Sequence, residues 1–171
     1  MRANVVLFLA LFVSISGCSP GPHNIFLLRY GPDLHENRYP VRVSCEMTAT
    51  KCSSARIALA VINAELGADV LVLRSGRPDI EIREHVLDPE ELGLARVSFR
   101  RYTGTMRHCL IDLQLDQWSI GVVMHETLHC LGAAHTPSGV YPGSVMANPI
   151  EGLNIPQPLI HVLRRSLHIG G

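Results

Sequence analysis

Residues 119–135 read SIGVVMHETLHCLGAAH, a strongly apolar segment that carries three histidines and one glutamate. Its apolar residues recur at helical spacing, which predicts a helix over residues 119–131. His125 and His129 are four residues apart, so on a helix their imidazoles project from the same face, one turn apart. Two imidazoles placed in this way can both reach one metal ion.

A third metal ligand has to come from beyond this helix. Gly132 predicts a turn, because glycine tolerates positive φ angles, and His135 can then swing back toward the metal. Glu126 directly follows the first ligand and can approach a water molecule on the metal. Three neutral nitrogens leave the fourth position of a zinc ion open, which is typical of catalytic zinc sites. The alternative is that the histidines are ordinary helix residues, which is costly because buried imidazoles need polar partners.

The motif at residues 125–135 fits H-E-x-x-H-x-x-G-x-x-H and resembles the metzincin clan of zinc metallopeptidases, with a loop similar to that of matrixins and compact bacterial members. The clan carries a downstream Met-turn, and residues 144–146 (Ser-Val-Met) match it. The resemblance implies that Met146 forms an apolar floor beneath three zinc-binding histidines and that Glu126 is the general base. It also implies that an edge strand, here residues 96–101, aligns an extended substrate by strand addition.

Two positions depart from the family pattern. Thr136 follows the third histidine, where several metzincin families carry an acidic residue. Asn148 lies two residues after Met146, where some families place a tyrosine that assists at the zinc. We therefore expect a site without that acidic residue, and Tyr141 is the remaining candidate for an assisting tyrosine.

The rest of the chain predicts an α+β (α/β-like) fold. Strand patterns occupy residues 41–45, 69–73, 79–86, 96–101 and 108–115, and residues 24–30 are also strand material. We expect Ser53 or Ser54 to cap a helix between the first two of these strands, and Pro158 to open a C-terminal helix. The expected architecture is a twisted mixed five-stranded sheet with one antiparallel edge strand, and the motif helix lies below it.

Size and composition limit the number of domains and the classes of partner. The chain has 171 residues, which is enough for one domain with a core. Lys+Arg and Asp+Glu are 15 each, and no basic run with interleaved aromatics occurs, so we exclude nucleic acid as a partner. We expect a monomer whose partner is a protein or peptide substrate.

The N-terminus has the pattern of an export signal. Residues 5–13 are an unbroken apolar run after a positively charged start, too short to span a membrane. Residues 1–17 are therefore predicted to be a signal peptide, 18–23 a linker and 24–171 a single metallopeptidase domain. Residues 15–18 (Ile-Ser-Gly-Cys) also resemble a bacterial lipobox, so Cys18 is a candidate for lipidation and membrane anchoring. The alternative is ordinary cleavage that leaves Cys18 as an incidental thiol.

Four cysteines remain beyond Cys18, and export to an oxidising compartment favours disulfides. Three pairings are possible. We expect Cys45–Cys52, which closes a short loop, and Cys109–Cys130, which ties a strand to the motif helix. A zinc site made of cysteines is disfavoured, because no C-x2-C spacing occurs.

These observations predict an exported zinc endopeptidase, either secreted or held in the cell envelope as an outer-membrane lipoprotein. An alternative is an inactive zinc-binding envelope lipoprotein that acts in adhesion or assembly. The intact Glu126 argues against it, since a site without catalysis has no need of a base. A third possibility is a structural envelope lipoprotein in which the motif is accidental.

Overall fold

The computed structural model describes residues 40–99, 106–136 and 139–170. The predicted signal peptide (1–17), Cys18, the linker and the predicted strand at 24–30 all lie outside these ranges. Within the described ranges, no helix is long and apolar enough to cross a membrane.

The described chain forms five strands and three helices in one mixed sheet. In chain order the elements are β1 (Val41–Glu46), α1 (Ala49–Leu66), β2 (Leu71–Leu73), β3 (Ile80–His85), β4 (Gly93–Phe99), β5 (Met106–Gln114), α2 (Ile120–Cys130) and α3 (Gln157–Ser166). The strand order is β2-β1-β3-β5-β4, and every pair is parallel except β4 with β5. The predicted α+β class, five-stranded mixed sheet and antiparallel edge strand are therefore confirmed.

Helix α1 begins earlier than the sequence predicts. Its N-cap is Thr48, whose hydroxyl accepts the Lys51 N–H, so the prediction that Ser53 or Ser54 caps the helix is wrong. The extra turn is held from outside the helix, because Lys51 Nζ lies 2.7 Å from Glu84 Oε1 on β3. An ion pair between distant elements leaves no periodic signal in the sequence, which is why the cap was misplaced.

The hydrophobic core lies between one face of the sheet and the helices. On β3 and β5 alternate residues are fully buried: Ile80, Ile82, Cys109, Ile111 and Leu113. The Cys109–Cys130 disulfide joins this face of β5 to α2, as the sequence analysis expected, and Cys45–Cys52 closes the short loop before α1. Both bonds accord with an oxidising compartment. Helix α2 is thereby fastened to the sheet close to the histidines that it carries.

We predict that the two disulfides differ in their contribution to stability. Replacing Cys109 and Cys130 by alanine is expected to lower the free energy of unfolding by about 3 kcal/mol, because the bond closes a loop of sequence separation 21. Replacing Cys45 and Cys52 is expected to cost less, since their separation is 7. Urea denaturation of both double variants measures the difference, and a larger cost for the short loop would contradict the prediction.

The two edges of the sheet differ in what they offer to another chain. At the β2 edge the Asn63 amide of α1 binds the backbone as a neighbouring strand would. Its Oδ1 accepts the N–H groups of Val70 (3.1 Å) and Leu71 (2.9 Å), and its Nδ2 donates to Leu71 O (2.8 Å). These backbone groups are therefore not available for strand addition at this edge.

At the opposite edge, β4 keeps one row of its backbone groups turned outward. Gln114 donates its N–H to Leu92 O (3.0 Å), one step beyond the Gly93–Leu113 pair. Opposed residues in an antiparallel pair alternate between bonded and non-bonded positions. Gly93, Ala95 and Val97 are consequently the residues whose N–H and C=O groups point away from β5.

The other face of the sheet holds β4 in register through a buried carboxylate. Asp112 on β5 is fully buried and lies between two arginines of the flanking strands. Arg83 Nε lies 2.7 Å from its Oδ1, and Arg96 pairs with its Oδ2. Breaking such a buried pair is costly, because it leaves an uncompensated charge. The Arg96 side chain therefore lies on the face of the sheet opposite α2, where it pairs with Asp112.

Candidate metal centre

The motif helix has the predicted start and end. Ser119 is the N-cap and its hydroxyl accepts the Val122 N–H (3.4 Å). At the other end Gly132 has a φ of 92°, and two reversed hydrogen bonds close the turn, from Gly132 N to His129 O and from Ala133 N to Leu128 O, both 2.9 Å. This turn reverses the chain within three residues, which brings His135 back to the helix.

The three histidines of the motif converge on one point. The Nε2 atoms of His125 and His129 lie 3.0 Å apart, and each lies 3.1 Å from Nε2 of His135. Among the described residues this is the group of potential ligand side chains placed closely enough to hold a metal ion. The structure thus brings together all three residues that the sequence predicted as ligands.

The hydrogen bonds of the Nδ1 atoms, which point away from the cluster, determine the tautomer of His125 and His129. His125 Nδ1 lies 2.7 Å from Val145 O, and His129 Nδ1 lies 2.7 Å from Ala133 O. A carbonyl only accepts, so each Nδ1 carries the proton and each neutral ring presents an unprotonated Nε2. Two lone pairs therefore face each other at 3.0 Å between His125 and His129, an arrangement that a cation relieves.

Burial keeps these rings neutral. Burial is the largest of the effects that lower the pKa of His125 to about 4 and the pKa of His129 to about 3. The neighbouring imidazoles contribute to this lowering, and the carbonyls oppose it. Burial also lowers the pKa of His135. Near neutral pH all three rings are uncharged, which is the form that binds a metal ion.

The spacing of the nitrogens fits a small tetrahedral ion. Nitrogens that bind one tetrahedral zinc at about 2.0–2.1 Å lie roughly 3.3 Å from one another. The observed separations of 3.0–3.1 Å are close to this value. Carbonyl partners on the outer nitrogens of two ligands are also typical of histidine metal sites, where they orient the rings.

The segment after the motif supports the ligands from the other side. The Thr136 N–H donates to Met146 O (2.8 Å), and the Thr136 hydroxyl lies 3.0 Å from the Ser144 hydroxyl, which accepts the Met146 N–H at 3.1 Å. Met146 is fully buried and follows Val145, whose carbonyl holds His125. Thr136, which directly follows His135 and departs from the family pattern, is therefore bonded to this loop through both its backbone and its side chain.

Glu126 lies against the edge strand. Burial raises the pKa of its carboxyl to about 7; the Ala95 backbone N–H, which donates to the carboxylate, opposes this, and the charge of Glu91 adds to it. Only 6% of the residue is exposed. The buried carboxyl of Glu126 is thus hydrogen-bonded to a backbone N–H of β4 that points away from β5. Glu126 directly follows the candidate ligand His125 in the chain.

Several contributors to the site were not apparent from the sequence. The carbonyls of Val145 and Ala133 and the N–H of Ala95 are backbone groups, which every residue has, so no residue type marks them. Trp118, just before the motif helix, is partly buried against the core and donates its indole N–H to Glu84 (2.8 Å). Tyr141 is partly buried and Asn148 is exposed.

Neither the comparison with protein-family models nor the search of curated proteins finds a match for this chain.

Proposed function

We propose that this protein is a zinc-dependent endopeptidase of the metzincin type, in which His125, His129 and His135 bind Zn²⁺ and Glu126 is the general base. The observation that carries the proposal is the convergence of three histidine Nε2 atoms, 3.0–3.1 Å apart, together with the buried carboxyl of Glu126, which directly follows His125 on α2. The Met146 loop behind the ligands and the reversed turn at Gly132 support the same assignment.

The choice of zinc follows from the donor set. Three imidazoles with an open fourth position suit catalytic zinc, whereas calcium and magnesium prefer oxygen ligands. When bound, zinc would polarise the scissile carbonyl and lower the pKa of a water molecule. His125 and His129 keep their rings oriented for this ion through the carbonyls of Val145 and Ala133.

Glu126 supplies the proton transfers that amide hydrolysis requires. A carboxyl whose pKa burial raises to about 7 can accept a proton from the attacking water and return it to the leaving amine near neutral pH. Its bond to the Ala95 N–H holds it at the edge of the sheet, where an extended substrate would lie.

The β4 edge is the side on which we place the substrate. Gly93, Ala95 and Val97 direct backbone groups outward. The Ala95 N–H donates to Glu126, and a peptide in extended form can pair with the other groups of this row. At the opposite edge Asn63 bonds the N–H and C=O groups of Leu71, the first residue of β2, which favours strand addition on the side that carries Glu126. The substrate is therefore a protein or peptide segment without regular structure.

We also propose that the protein is exported. The two disulfides support an oxidising compartment, and the apolar run at residues 5–13 supports a signal peptide. Lipidation of Cys18 would anchor the domain to a membrane. Mass spectrometry of the mature N-terminus tests this, since an unmodified Cys18 or a different first residue would contradict it.

Removal of the metal tests the central proposal. The purified protein is expected to contain about one zinc per chain by elemental analysis and to hydrolyse casein. Dialysis against a chelator is expected to abolish hydrolysis and to lower the melting temperature, because an ion that binds only the folded state stabilises it, by about 2.7 kcal/mol at 100 times its dissociation constant. Added Zn²⁺ is expected to restore both.

Three results discriminate among the possibilities. Hydrolysis that persists in metal-free protein would contradict the proposal. One bound zinc without hydrolysis of casein or of a peptide library would favour the inactive zinc-binding protein instead. Absence of bound zinc would leave the histidines without the assigned role.

A further inference from the structure

Gly93, the first residue of β4, lies unusually close to helix α2. A Cβ atom on Gly93 would lie 2.7 Å from Val122 Cγ1, 2.9 Å from Glu126 Cγ and 3.0 Å from Glu126 Oε1. Its φ angle is not in the left-handed region, so backbone conformation does not demand glycine at this position. The requirement is one of space, and the space is filled by the side chains of Val122 and Glu126.

Ala95, two residues further along β4, donates its backbone N–H to the Glu126 carboxylate. Both residues direct their backbone groups away from β5. Strand β4 therefore contacts Glu126 at two points, with Gly93 against the Cγ atom and Ala95 at the carboxylate. A side chain at position 93 would push the stem away and pull the carboxylate from its donor.

We infer that Gly93 is a positioning residue, whose missing side chain lets Glu126 dock its carboxylate on the Ala95 N–H and hold it beside the metal ligands. This inference deepens the proposed function, on which the catalytic meaning of Glu126 rests. Nothing in the sequence marks Gly93, because it lies three residues before the predicted strand at 96–101, in a segment with the pattern of a loop.

The test is the variant Gly93→Ala, with two readouts. The first is hydrogen exchange of the Ala95 amide by NMR, which needs no catalytic activity. That N–H points away from β5, so its protection depends on Glu126, and exchange is expected to accelerate at least about 10-fold, as one lost hydrogen bond implies. The second is hydrolysis, in which kcat is expected to fall roughly 10- to 100-fold with little change in KM, since a small displacement of a reacting group costs this much.

Two controls separate positioning from packing. Gly121→Ala introduces the same methyl group on α2, where its nearest neighbour is the exposed and movable end of Leu153 at 3.1 Å, and it should change neither readout. Gly93→Ala combined with Val122→Ala removes the contact at 2.7 Å but leaves both contacts with Glu126. This double variant is expected to regain the melting temperature of Val122→Ala alone, while exchange at Ala95 stays fast and kcat stays low.

The outcomes decide the inference separately from the proposed function. Unchanged Ala95 exchange in Gly93→Ala overturns it, and so does a double variant in which kcat recovers together with the melting temperature. If Gly93→Ala alone does not fold, the double variant supplies the answer. If the wild-type protein hydrolyses nothing, the proposed function fails, and Ala95 exchange still determines whether Gly93 positions Glu126.

Discussion

Replacing Glu126 by glutamine is expected to lower kcat by on the order of 10²- to 10⁴-fold, the range that general acid–base catalysis contributes. Glutamine has the same size and keeps an oxygen that can accept the Ala95 N–H, but its amide does not take a proton from water. The metal ligands are untouched, so bound zinc is expected to stay at the wild-type level. Rates of peptide hydrolysis and elemental analysis of the same sample measure the two effects together.

The matched control is Glu65→Gln, the same substitution at an exposed position of α1, which is expected to leave hydrolysis unchanged. Stability provides a second check. Because burial raises the pKa of Glu126 to about 7, folding disfavours its charged form, so at pH 8 the neutral glutamine should unfold no more readily than wild type. Hydrolysis that survives in Glu126→Gln with zinc still bound would remove Glu126 from the mechanism.

Replacing His129 by alanine is expected to remove zinc from the protein at concentrations that saturate the wild type. His129 Nε2 lies 3.0 Å from Nε2 of His125 and 3.1 Å from Nε2 of His135, and only these two nitrogens are left after its loss. The affinity should fall by more than the roughly 10- to 100-fold that loss of a hydrogen-bond partner of a ligand costs. Competition with a fluorescent zinc chelator measures the dissociation constant, and hydrolysis should disappear in parallel.

His161→Ala is the control for this variant, since His161 is exposed on α3 and outside the cluster. It is expected to keep both zinc and activity. A His129→Ala protein that binds zinc as tightly as wild type would mean that the metal lies elsewhere, or that the convergence of the three rings has another cause.

The ligand residues could be predicted because a helix converts sequence spacing into spatial position. His125 and His129 share a face once the segment is helical, and a glycine at position 132 permits the turn that returns His135. The strand patterns likewise predicted the mixed sheet, because buried and exposed residues alternate with the pleat. Each of these inferences depends on contacts that are local along the chain.

Predictions that depended on distant contacts were less accurate. Helix α1 was expected to be capped at Ser53 or Ser54 but begins at Ala49, after the Thr48 cap. Strand β4 was expected from residue 96 and begins at Gly93, because its first residues pair with the end of β5, far along the chain. Periodicity within a window does not contain such pairings.

By itself the sequence determined the three candidate metal ligands, the helix that carries two of them and the alternation that builds the sheet. Only the tertiary structure decided the surroundings of Glu126, which joins the metal ligands to the β4 edge. Ala95 contributes a backbone N–H and Gly93 an absent side chain, and neither has a signature in composition or spacing. They act on Glu126 because chain pairing and helix packing bring residues about thirty positions apart into contact.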